Sequence, residues 1–249
     1  MAIINDDYYR GMVNIFTDSH VIKFVQSVCV SFTKEDIYMI KNLILTMLCC
    51  FLGMNTLKAA QTTLPVEGEQ YIQIAHQIPD APAVVEFFSF YCPPCYAFSE
   101  RYGVSEAVNR ILPADAQVVK YHVSSMGKLG EELTEAWSVA RVLGVESQVE
   151  IPLFKAVQKE GQIQNKADIR RVFLDSGVPA EQFDSAMNSM VVRAMTASQI
   201  KYSKDFDVSA TPSFFVKGKY LVRNNGIIAT TEEEYGTDFA TVVSFLLQK

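Results

Sequence analysis

The sequence predicts an α/β fold interrupted by an inserted all-helical block, and three observations predict it. Val84-Val-Glu-Phe-Phe-Ser-Phe90 is a dense β-branched and aromatic run, bounded by Pro82 before it and by Pro93-Pro94 after it, and reads as a buried central strand. A helical pattern and a second strand candidate follow it, the order of a parallel βαβ unit. From about Gly130 to Tyr202 the signals are helical, without strand-like alternation, before strand signals return.

Each element has a local reason. Tyr71 to Ala75 alternates weakly and is expected to be a first strand. Pro93 and Pro94 cannot sit inside a helix but can open one, because the first helical N–H groups have no intrahelical partner. The helix that follows is expected to run from Tyr96 to about Leu112 with a bend near Gly103, and the next strand from Gln117 to Ser124. Within the helical block Ile169, Val172 and Phe173 fall at i, i+3, i+4, and Phe183, Met187, Met190, Val191 and Ala194 continue that spacing over three turns. Pro152 and the Gly177–Pro179 turn are expected to separate helices. Ser213–Val216 and Tyr220–Val222 read as a hairpin joined at Lys217-Gly218-Lys219. Glu232 to Leu247 reads as a closing helix with Phe239, Val242, Val243 and Leu246 on one face.

The chain has 249 residues, 49% apolar and 20% charged, with a net charge of −6. No basic cluster supplies the positive footprint that phosphate binding needs, so nucleic acid is excluded as a partner. Met39-Ile-Lys-Asn, the apolar run Leu43–Met54 and the small residues before Gln61 form the three parts of a secretory signal. Residues 39–59 are therefore expected to be a cleavable signal peptide, cut after Ala59 or Ala60, with the protein exported to the periplasm. A membrane span needs roughly 20 apolar residues, so this run is short for an anchor. Residues 1–38 make a poor basic leader, and Met39 is read as the start, with 1–38 an upstream extension misassigned to the chain.

Cysteine placement is more telling than cysteine number. Of Cys29, Cys49, Cys50, Cys92 and Cys95, only the last two survive removal of the leader. One close pair in an exported chain points to redox chemistry rather than to a stapled scaffold. Cys92 ends a strand and begins a helix, where unsatisfied N–H groups and the helix dipole favour a thiolate, the attacking species. Cys95 lies one turn on, near enough to close a Cys92–Cys95 disulfide, and pointed into the protein. Cys92 is thus assigned the mixed disulfide with substrate, and Cys95 its resolution. Zinc is disfavoured because His76 and His122 do not stand at ligand spacing, and an inert bridge because so short a loop constrains little.

Glu86 interrupts the apolar strand and shares a face with Val84, Phe88 and Phe90 by alternation. A buried carboxyl is costly unless paired or protonated, and Lys120 in the neighbouring strand candidate can pair with it. Two readings stay open on the residues alone: a buried acid relaying the Cys95 proton, or an edge position that reaches water.

The run Phe87-Phe-Ser-Phe-Tyr-Cys-Pro-Pro-Cys-Tyr96, with Lys120-Tyr-His-Val123, Ala136-Trp-Ser-Val139 and Thr211-Pro212 before a strand, resembles the DsbA family of periplasmic disulfide oxidases. The likeness covers residues 60–249. It implies a thioredoxin fold, with residues 60–124 and 203–249 in a thioredoxin-like domain and 125–202 in the inserted helical domain. It further implies that Pro212 is the family's cis-proline beside the disulfide, with the Thr211 backbone pairing an extended substrate. Thr211, Pro212, Pro93 and Pro94 would then form the substrate-binding surface, and Glu86 and Lys120 would take the family's acid and lysine positions beneath the reactive pair. The implied enzyme is a monomeric protein disulfide oxidoreductase with no cofactor besides the Cys92–Cys95 disulfide. It would oxidise reduced, unfolded exported proteins and be reoxidised by a DsbB-like membrane partner. A reductase or isomerase of the same fold is the alternative, disfavoured because residues 60–70 are too short for a dimerisation segment.

Two positions depart from the usual pattern. The dipeptide between the cysteines is commonly Pro-His in the family, and Thr211 stands where valine is common. A Cys-Pro-Pro-Cys pair resembles that of the SrgA-like branch, which extends the implied clients to fimbrial subunits. Without the histidine, the expected Cys92 thiol is depressed but less acidic than in Pro-His members, and the pair less oxidising. Titration of thiolate absorbance checks this; a Cys92 as acidic as in a Pro-His enzyme refutes it.

Overall fold

The structure is a computed structural model, described here for residues 64–249. The upstream extension, the signal peptide and its cleavage site lie outside the described residues.

A five-stranded mixed sheet is built from β1 (Tyr71–Gln73), β2 (Val84–Phe88), β3 (Val119–His122), β4 (Ser213–Val216) and β5 (Tyr220–Val222), in the order β1-β5-β4-β2-β3. β2 pairs parallel with β3 and antiparallel with β4. All five β2 residues are buried, as the continuous apolar run requires. The helices are α1 (Pro93–Glu100), α2 (Val104–Asn109), α3 (Gly130–Leu143), α4 (Glu146–Gln158), α5 (Lys166–Asp175), α6 (Ala180–Met187), α7 (Met190–Asp205) and α8 (Glu232–Gln248).

Alternation along β2 divides the core. Val85 and Phe87 point to one face, with Tyr121, Phe206 and Phe215. On the other face Val84 packs with the α8 residues Phe239, Val243 and Leu246, while Phe88 packs with Trp137, Leu133 and Phe154 of the helical block. Glu86 lies between Val84 and Phe88 on that second face. The α8 apolar stripe is thus buried as expected, and its start is fixed by Thr231, whose side chain accepts from Glu234 N in a capping box.

Several expectations are corrected. The helix after Cys95 is two helices, because Gly103 takes φ 54°, a left-handed geometry that favours glycine and breaks the run. Pro152 does not separate helices: it lies inside α4. It forfeits the hydrogen bond to Gln148, but fully buried Val149, Leu153 and Phe154 hold the helix by packing. The stripe from Phe183 to Ala194 is interrupted at Ser189, whose hydroxyl accepts from Val192 N and starts α7. Phe183 is buried, whereas Met190 and Val191 face outward at 73% and 59% exposure. The first strand stops at Gln73, β2 at Phe88, and β3 occupies only Val119–His122.

Candidate active site

Cys92 is the N-cap of α1, with Pro93 and Pro94 as the first helical residues. Neither proline has an N–H, so the first donor the helix can offer is Cys95 N, which points at Cys92 Sγ from 3.1 Å. Cys92 and Cys95 form a disulfide with Cα atoms 5.3 Å apart. In this oxidised state both cysteines are almost shut from solvent, at 2% and 0% exposure, while Pro93 and Pro94 beside them are exposed. The Thr211–Pro212 peptide is cis, and the Thr211 carbonyl oxygen lies 3.4 Å from Cys92 Sγ. The Thr211 hydroxyl donates to Met126 Sδ at 3.5 Å, and Asn224 Nδ2 donates to the Pro212 carbonyl at 2.7 Å.

The turn carrying Cys92 is tethered from both flanks. His122 Nε2 accepts from Phe90 N at 3.1 Å, and Gln158 Nε2 donates to the carbonyls of Phe90 and Cys92 at 2.7 and 3.1 Å. Thr134 Oγ1 gives its proton to the Gly130 carbonyl and so accepts from His122 Nδ1, 2.8 Å away; the histidine is neutral with its proton on Nδ1. Nearby, Tyr91 lays its ring against Gly127, where a Cβ would lie 2.3 Å from ring carbons; Gly127 also has φ 73°, so any other residue would strain the backbone and displace the ring.

Burial pushes the His122 imidazole down to about 3. The unfolded chain, with a value near 6.5, binds a proton there that the folded chain refuses, so stability falls as pH drops from about 6.5 toward 3. The expected loss is on the order of 4 kcal/mol by pH 3 from this group. NMR should show a His122 ring that does not titrate down to pH 4; a midpoint near 6 would refute it.

Glu86 and Lys120 are register partners across β2 and β3. β2 is central and Glu86 is 1% exposed, so the edge reading is overturned. Glu86 Oε2 lies 3.0 Å from Lys120 Nζ and accepts from Ser105 Oγ at 2.7 Å, while Oε1 is buried with no partner. Burial raises the Glu86 carboxyl above the usual carboxylate range, opposed by Lys120 and reinforced by Glu150. For Lys120 burial acts downward, but the Glu150 and Glu86 carboxylates outweigh it and keep the ammonium protonated.

Sequence reasoning missed Glu150, Ser99, Ser105 and Gln158. Glu150 Oε1 lies 2.5 Å from Lys120 Nζ and accepts from Ser99 Oγ at 2.5 Å. Its signal was present: Val149-Glu150-Ile151 puts a charge inside an apolar stretch, as in β2. Gln158 left no signal, being one of several polar residues at a helix end.

The sequence pattern of a DSBA-like thioredoxin domain matches residues 83–235. The chain belongs to the DSBA-like family. Within the family, the thiol:disulfide interchange protein DsbA of Dickeya dadantii is 45% identical over 183 residues, spanning 74% of this chain and 88% of the relative. The crystal structure of DsbA from Proteus mirabilis superposes with a TM-score of 0.72 at 44% identity, covering 74% of this chain and 98% of that one. SrgA of Salmonella enterica serovar Typhimurium gives 0.68 at 41%, covering 72% and 99%. The expected thioredoxin fold with a helical insertion is therefore the fold of this DSBA-like chain, and the chain is a thiol–disulfide oxidoreductase.

Proposed function

We propose that this oxidoreductase acts in the periplasm as a monomer, donating its Cys92–Cys95 disulfide to reduced proteins as they arrive by export. The observation that carries the reading is the Cys95 N–H aimed at Cys92 Sγ from 3.1 Å, a donor placed where negative charge develops when Cys92 leaves as a thiolate. A substrate thiolate attacks Cys92 Sγ; the Cys92–Cys95 bond breaks, its electron pair goes to Cys95, and Cys95 takes up a proton. A second substrate thiolate then attacks the substrate sulfur of the mixed disulfide, and Cys92 departs with the electrons. The substrate is oxidised by two electrons and the pair reduced by two.

Glu86, buried in β2 six residues before Cys92, is the group assigned to exchange the Cys95 proton, with Lys120 as its counter-ion. Thr211 and Pro212, with Pro93 and Pro94, form the surface for an extended substrate. Support comes from the Thr211 carbonyl at 3.4 Å from Cys92 Sγ and from a Proteus mirabilis DsbA variant, 43% identical, solved with a non-covalently bound peptide. A DsbB-like membrane partner would return the pair to the disulfide. The Pro93-Pro94 dipeptide is the feature that favours fimbrial subunits among the clients.

Oxidative refolding of a reduced, disulfide-containing protein tests the direction of electron flow. Catalytic amounts of oxidised protein are expected to speed refolding with glutathione disulfide as terminal oxidant. A protein that instead preferentially reduces disulfides, with a glutathione equilibrium favouring its oxidised form, would be a reductase.

A further inference from the structure

The helical block reaches into the ionic site of the sheet through one carboxylate. Glu150, at mid-α4, shares the Lys120 ammonium with Glu86: Nζ lies 2.5 Å from Glu150 Oε1 and 3.0 Å from Glu86 Oε2. Side-chain exposures of 1% for Glu86, 12% for Lys120 and 13% for Glu150 order the three from the interior outward. Lys120 and Glu150 also line a cavity of about 580 Å³ between β3, α2, α3 and α4, whose other charged groups are Glu106, Arg141 and Glu146. Ser105 lines it too and donates to Glu86. One ammonium thus serves two carboxylates, and one oxygen of the inner carboxylate has no partner at all.

We propose that Glu150 is a positioning residue for the thiol chemistry: by sharing the Lys120 ammonium, it keeps Glu86 able to change protonation state when Cys95 does. This rests on the assignment of Glu86 to the Cys95 proton. If Lys120 answered to Glu86 alone, Glu86 would be locked as a carboxylate, because a close opposite charge favours ionisation. With Glu150 present, the cation is divided and a second negative charge opposes the first. During reoxidation the Cys95 thiol gives its proton to ionised Glu86. Its sulfur attacks Cys92 in the mixed disulfide, the Cys92–Cys95 bond forms, and the oxidant's thiolate leaves. Protonated Glu86 then returns the proton to solvent on the cavity side. The rate of this step rises with pH as Glu86 ionises.

The experiment compares wild type with Glu150→Gln, Glu150→Asp and Glu86→Gln, following oxidation of the reduced protein by a small disulfide in stopped flow between pH 5 and 9. The midpoint attributed to Glu86 is read independently from its ¹³C carboxyl shift. Glu150→Gln is expected to move both midpoints to lower pH by about one unit, with the high-pH rate held within about twofold. Glu150→Asp should restore the wild-type profile at least in part. An unshifted midpoint in Glu150→Gln, with rates either unchanged or lowered equally at every pH, overturns the proposal and makes Glu150 a packing residue. Glu86→Gln separates the two ideas. If it leaves the wild-type pH profile intact, the Glu86 assignment fails. If it flattens the profile while Glu150→Gln shifts nothing, only the role of Glu150 fails.

Discussion

Cys95→Ser is expected to abolish catalysed oxidation of dithiols and to leave the protein covalently attached to its clients. Cys92 Sγ still sits at the start of α1, facing the N–H of residue 95 and 3.4 Å from the Thr211 carbonyl. Without Cys95 the variant has no disulfide to donate; its Cys92 thiolate attacks a client disulfide, one client sulfur leaves as a thiolate, and no Cys95 thiol is present to displace the client from Cys92, so the adduct accumulates. Cys92→Ser should behave differently. Its remaining thiol has 0% exposure beneath the helix start and should form no client adducts. Non-reducing gels of material recovered from cells producing each variant distinguish the two, with turnover of both at background. Equal adduct formation by the two variants would undo the division of labour between the sulfurs.

The second large effect falls on stability. Trp137→Ala should destabilise the oxidised protein by about 4 kcal/mol, from the range for emptying a buried aromatic site. Trp137 is 1% exposed, and its ring centroid lies 5.1 Å from Phe88 and 5.8 Å from Phe90. Its indole N–H also donates to the Lys120 carbonyl at 2.9 Å, so the variant leaves that acceptor without its partner. Trp137→Phe retains much of the apolar volume and should cost less, about 2 kcal/mol. Guanidinium unfolding at neutral pH reads both. A loss below about 1 kcal/mol for the alanine variant would show that this contact between α3 and the sheet is not what joins them.

Where one physical signal dominated, the sequence was a good guide. β2 was legible because seven consecutive apolar or small residues, one acid excepted, fit no other place than a buried strand. The β4–β5 hairpin and α8 were legible from their turn and their stripe. Pro152 misled because a local penalty was read without the packing of Val149, Leu153 and Phe154 that outweighs it. The Phe183–Ala194 stripe misled because spacing alone does not register a capping serine. At the site, Cys92 and Cys95 stood out through chemistry that is local in the chain, whereas Thr211 and Pro212 were placed there only by the family resemblance. Glu150 and Gln158 did not stand out, because their partners lie 30 and 66 residues away in sequence, and which helix face meets the sheet is decided only by the folded packing.

The double grip of Gln158 on the Phe90 and Cys92 carbonyls has a consequence for how the chain can be dissected. The two acceptors belong to the sheet domain, and the amide that satisfies them comes from the last turn of α4. Excising residues 125–202 to obtain a minimal redox module would strip the reactive loop of that fastening, and the same cut would remove Trp137 and Glu150. The insertion is therefore part of the foundation under the sulfur, and a shortened enzyme should be sought by redesigning that support rather than by trimming it away.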